Sequence, residues 1–235
     1  AVGAALAGGT DCTRTTTGAL GQTNPTSGYT KHIVGAVASG NVASQILLLF
    51  DRIWHGAPAM NSASAQTVTM TPARYAGTGA SGSSRGNVAW MEVGGTGLAA
   101  TAHNHTLTYV DDNGNAAEAA AAVAGVASAA TDRFDMPAGQ PYFGLNAGDV
   151  GISDITQYQC SAAVATGVMN LVLAHPLMLI PCFVASTPIL IDGINSDISL
   201  EEVLSGACLS FAEILKASTT ATTWHGTIRM IQGNS

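Results

Sequence analysis

His103-Asn104-His105 is where residue type and spacing in this 235-residue chain come nearest to chemistry. Two imidazoles two residues apart on an extended segment share one face, roughly 7 Å from each other. With His55 or His225 brought alongside, they could hold zinc or nickel. A pair of surface or interface histidines is the simpler expectation, since no H-E-x-x-H or similar carboxylate-bearing motif accompanies them. His103 and His105 are therefore the metal-ligand candidates of a chain otherwise expected to carry no metal and no cofactor.

Other matches to catalytic patterns fail on context. Gly82-Ser83-Ser84-Arg85-Gly86 fits G-x-S-x-G, but that elbow belongs between a strand and a helix. Here a Gly/Ser loop and a strand flank it, so Ser84 is not expected to be a nucleophile. Counted as a calcium loop from Asp192, the acidic stretch Asp192–Glu202 puts Ile194 third and Val203 twelfth, and neither can ligate the ion. No P-loop, dinucleotide fingerprint or glycosidase carboxylate pair can be assembled, and the chain reads as a non-enzyme.

The element that must position the rest is Gln45–His55, QILLLFDRIWH, a long branched and aromatic strand. Its first half is expected to be covered on both faces and its second half on one. Asp51 and Arg52 interrupt it, as an interface ion pair or as a solvated strand end. Trp54 is the better anchor for a partner, with His55 beside it. These four are the interface candidates.

Only 10% of the residues are charged, against 47% hydrophobic, with 8 basic and 15 acidic side chains. Disorder is excluded by the apolar content. Nucleic acid and anionic membranes are excluded as partners by the lack of any basic cluster. So little charge points to a secreted Ala/Gly/Ser/Thr-rich β-protein or to a surface covered by neighbouring subunits. Cys12, Cys160, Cys182 and Cys208 show no C-x-x-C spacing, and reduced, buried thiols are expected. AVGAALAGG has no basic n-region and does not read as a signal peptide.

Along the chain, residues 1–31 read as an arm or loops, followed by one β-sandwich domain over 32–235. Strands are expected at His32–Ser39, Gln66–Thr71, Asn87–Val93, His103–Asp111, Pro141–Leu145, Gly151–Ala163, Ala207–Lys216 and Thr222–Ile231. Val168–Ala185 should make two strands, broken by Pro176 and Pro181. Asp112-Asn113-Gly114-Asn115 is a hairpin turn. Ala propensity favours a helix over Ala116–Ala130, but the hairpin favours a returning strand over Ala117–Val126. Ser199-Leu200-Glu201-Glu202 has the form of a capping box for a short helix closed by Gly206. Turn signals about every ten residues fit an all-β, jelly-roll-like sandwich with at most one or two short helices.

Leu48–Asn61 (LLFDRIWHGAPAMN), Ser64–Met70 (SAQTVTM) and Gly167–Leu177 (GVMNLVLAHPL) resemble a group of tailed-bacteriophage virion proteins associated with the head. The resemblance covers about a third of the chain and rests on packing motifs. It implies a cement or decoration protein on the capsid surface, assembled in the host cytoplasm. Its partners would be the major capsid protein and further copies of itself, as a trimer or higher oligomer. A tail-tube, collar or adhesin subunit is the rival within the virion, and a secreted hydrolase using Ser84 or a histidine metal site the rival outside it.

Overall fold

The computed structural model describes residues 5–72, 74–77, 84–137, 139–194, 200–215 and 222–234. In chain order the strands are β1 (Thr10–Asp11), β2 (Tyr29–Gly40), β3 (Gln45–Gly56), β4 (Gln66–Thr67) and β5 (Val88–Val93). There follow β6 (Asn104–Asp111), β7 (Glu118–Ala119), β8 (Val123–Ala124), β9 (Ile152–Cys160) and β10 (Met169–Cys182). The last three are β11 (Ile189–Asp192), β12 (Leu209–Leu215) and β13 (Trp224–Asn234). Among the described residues the only helical element is a 3-10 turn at Leu6–Gly8. Antiparallel sheets packed together make this an all-β sandwich, as the turn spacing leads one to expect. The four cysteines are free and buried.

The chain divides into two compact units where the sequence reads as one domain behind an arm. The first is Ala1–Thr13 with Arg52–His175, and the second is Arg14–Asp51 with Pro176–Ser235. Both contain part of the expected arm, and it is ordered against the chain's own strands. In the first unit Thr10 and Asp11 pair with His55 and Trp54 of β3, and Leu6 and Cys12 are buried. In the second, the Leu20 amide donates to the Leu209 carbonyl, and Gln22 Nε2 donates to the Ala207 carbonyl.

The first unit is built around β6. One edge of β6 pairs with β9, from His105↔Cys160 to Asp111↔Ile152, and the other receives the short β7 and β8. Its burial alternates strictly, with His105, Leu107, Tyr109 and Asp111 inward. The first half of β10 pairs with β5, from Met169↔Val93 to Ala174↔Val88. Trp54, Trp90, Tyr109 and Tyr158 are the bulkiest side chains buried there.

The second unit is a two-layer sandwich. One layer is the sheet β11-β2-β13, and the other holds β12 on the first half of β3, with the second half of β10. Ile33, Ala36 and Ala38 of β2 belong to the same apolar clusters as Leu47, Leu49, Leu177, Ile180 and Leu209.

Five expectations are corrected. β10 runs unbroken through Pro176 and Pro181. Pairing with β5 ends at Ala174, so the N–H that Pro176 lacks is not owed to that ladder, and Pro181 is next to the strand's last residue. Ala116–Ala130 forms no helix and no continuous strand, only the two-residue β7 and β8 against β6. Its start is fixed instead by Asp111, whose carboxylate accepts from the Asn113 and Asn115 amides. Residues 200–206 form no helix; Ser199 lies outside the described residues. There the Ile33 amide donates to Glu201 O and the Val203 amide to Lys31 O, so β2 takes the backbone groups a helix would need. Pro141–Leu145 forms no strand, and the Gln66–Thr71 strand shortens to two residues.

The second half of β3 is covered on both faces, not one. Trp54 is buried because the backbone at Gly9 lies directly on its indole: a Cβ there would fall 2.0 Å from Cζ2. Gly9→Ala is expected to cost about 1–3 kcal/mol by overpacking, read from the denaturant midpoint. An unchanged midpoint would show that the N-terminal segment is not packed on Trp54.

Candidate functional site

Period-two geometry puts His103 and His105 on the inward face of β6 and its approach, and the structure gives them a third member. His103 Nε2 lies 2.8 Å and His105 Nε2 2.9 Å from the same oxygen, Oδ2 of Asp135. All three side chains are fully buried. The rings are drawn together to 4.9 Å between centroids and stand nearly perpendicular, at 77°. The expectation of surface or interface histidines is thereby corrected: the inward face of β6 is covered by the segment carrying Asp135. Neither His55 nor His225, the anticipated third ligands, joins the cluster.

Each outer atom of the cluster is also held. His103 Nδ1 is 2.8 Å from the Thr101 carbonyl, which can only accept, so that nitrogen carries a proton. His105 Nδ1 is 2.8 Å from the Tyr158 hydroxyl, on the neighbouring β9. Asp135 Oδ1 accepts from the Val126 amide. Asp135 itself is fixed by a ladder-like run along β5: its amide donates to Met91 O, the Asp132 amide donates to Val93 O, and the Val93 amide donates to Arg133 O. Gly125 closes the site from the other side, for a Cβ there would lie 2.2 Å from His103 Nε2.

Burial is the strongest influence on Asp135 and opposes its ionisation, but the two imidazole hydrogen bonds outweigh it and hold the carboxyl far below its usual range. The hydrogen bond to Asp135 raises His103 above its ordinary value. Two imidazole nitrogens that face one carboxylate oxygen in the dry interior need a proton or a metal ion at each contact. The trio is a set of donors for a cation, and the sequence shows only two of its members. The one trace of the third is an acid flanked by Phe134 and Met136 in a stretch without periodicity.

The four interface candidates are placed inside the chain, and the expectation that they face a partner is corrected. Asp51 is fully buried and accepts from the Cys208 amide at 2.8 Å. Arg52 donates through both terminal nitrogens to Glu92, at 3.1 and 2.6 Å, and Asn170 Nδ2 donates to the same carboxylate at 3.0 Å. Trp54 is covered by Gly9 and Gly56. His55 is 3% exposed, and burial, reinforced by the charge of Arg52, lowers it to about 4. Ser84 is buried with its hydroxyl donating to Gly77 O, and Arg85 makes a 3.2 Å contact with Asp112. Gly82 and Ser83 of that motif lie outside the described residues.

No protein-family model, curated protein or solved structure matches the chain.

Two outcomes are expected. Asp135→Ala strands the two imidazoles and should cost about 3–5 kcal/mol of stability, read by urea unfolding; a cost under about 1 kcal/mol would remove the cluster from the load-carrying core. His55 titrates lower in the folded chain than its ordinary 6.5, so the unfolded chain takes up the proton first as pH falls. Stability should drop by roughly 3 kcal/mol between pH 6.5 and 4 on this account, with no further loss from this group below that. His55→Gln should flatten that part of the stability profile, and an identical slope in both proteins would contradict the assignment.

Proposed function

We propose that the protein is a structural, non-enzymatic virion subunit, a cement protein that oligomerises and bridges capsomers of a phage head. The observation that supports this reading is where apolar surface lies. Of the eleven large apolar side chains exposed among the described residues, nine belong to the second unit, and only Val126 and Val150 to the first. Phe183, Ile194, Leu190 and Val184 are the most open, at 73, 64, 61 and 59%. Exposure of this kind concentrated in one unit marks an association surface.

The same unit presents an open strand edge. β13 pairs along its length with β2 and with no other strand among the described residues. It carries a single charged residue, Arg229, and no proline or lysine that would blunt the edge. Ladder pairing and apolar burial against neighbouring subunits would then supply the order that surface charge does not. Binding only to the assembled shell would stabilise that shell by mass action. The resemblance of Leu48–Asn61, Ser64–Met70 and Gly167–Leu177 to head-associated virion proteins supplies the capsid as partner.

Sedimentation should show an oligomer, and added protein should raise the temperature at which capsids release DNA. Phe183→Asp with Leu190→Asp should weaken association at least tenfold while leaving the far-UV spectrum unchanged. A monomer that leaves capsid heat release unaltered would defeat the proposal.

A further inference from the structure

We propose that His103, His105 and Asp135 bind one divalent first-row transition ion, of the zinc class, inside the first unit. The donor set is two neutral-capable imidazoles and a carboxylate, which suits such ions and not calcium or magnesium, whose ligands are all oxygen. One ligand atom from each of the three residues lies within 4.8 Å of the other two. Both Nε2 atoms face the same carboxylate oxygen, and His103 keeps its proton on Nδ1, against the Thr101 carbonyl. That is the arrangement in which a backbone acceptor fixes the tautomer and turns the other nitrogen's lone pair towards a metal.

The spacing is tighter than a loaded site requires. Bonds of 2.0–2.2 Å in a tetrahedron set ligand atoms about 3.3 Å apart, against the 2.8 and 2.9 Å between imidazole and carboxylate. Loading therefore moves Asp135 Oδ2 back by roughly half an ångström. Three protein ligands leave a fourth position to water, while the Tyr158 hydroxyl holds His105 Nδ1 on the far side of the ring. Only a residue without a Cβ fits at position 125, where the backbone lies against His103 Nε2. Because the three side chains are sealed from solvent, the ion enters during folding. It ties the segment 125–136 to β6, a structural role independent of what the second unit binds.

The test uses untagged full-length protein, produced in zinc- or cobalt-supplemented medium and also refolded from denaturant with Zn2+ or Co2+. Elemental analysis should give one ion per chain after gel filtration. X-ray absorption on the wild-type protein should show a nitrogen/oxygen shell with two imidazoles and no sulfur. Refolding with chelator should lower the thermal midpoint, and His105→Asn and Asp135→Asn should each reduce metal content at least tenfold. Folded wild-type protein with less than a tenth of an ion per chain in every preparation would overturn the proposal. So would a sulfur-containing shell, or undiminished metal in folded variants. If the variants do not fold, the wild-type stoichiometry and absorption spectrum decide it.

Discussion

A carboxylate sealed from water must find its donors inside the protein, and Asp135 is where this chain meets that demand. The connection between β6 and β9 contains only the two-residue strands β7 and β8, too little ladder to fix its path. Asp135 supplies what the ladders do not. It joins His103 and His105 on one side to the Val126 amide on the other, and its own amide is held by β5. A segment rich in alanine, which has little side chain to pack, is thus held by the polar contacts of Asp135 together with its backbone bonds to β5 and β6. Those contacts are strong because the surroundings are dry.

The same economy governs the other ionised groups. In a chain with only 10% charged residues, six of them are nonetheless buried: Lys31, Asp51, Arg74, Asp111, Asp112 and Asp135. Arg52 is spent on Glu92, Asp51 on the Cys208 amide, and Arg74 on the carbonyls of Cys12 and Arg52. Each satisfies a polar group that strand packing would otherwise bury unpaired. These charges act as internal hydrogen-bonding groups, and the second unit exposes most of the large apolar side chains that are open to solvent among the described residues.

The two units divide the tasks accordingly. The first holds the bulky aromatic core and the histidine–aspartate cluster, with few large apolar side chains exposed. The second is a sandwich whose sheet β11-β2-β13 ends, among the described residues, on β13, and whose exposed residues include Phe183 and Leu190. On the proposed reading, the second unit would supply the association surface of a subunit that works in an assembly.

The sequence by itself determined what local pattern can encode. Period-two alternation placed β6 with His103, His105, Leu107, Tyr109 and Asp111 on one face, and the unbroken apolar run placed β3. Recurrent turn residues fixed the all-β class, and isolated cysteines in apolar runs marked buried free thiols. Tertiary structure decided whatever depended on partners distant in the chain. Asp135 has no periodic neighbours, so its meeting with the histidines follows only from the ladder with β5. Backbone donors and acceptors on β2 claimed residues 200–206 from a helix. Arg52 reads as half of an interface ion pair or a solvated strand end, and Trp54 as an anchor for a partner, until Glu92 and Gly9 take them. In each case the energy of one contact depends on groups scores of residues away, and such pairings leave no signature in the spacing of either segment.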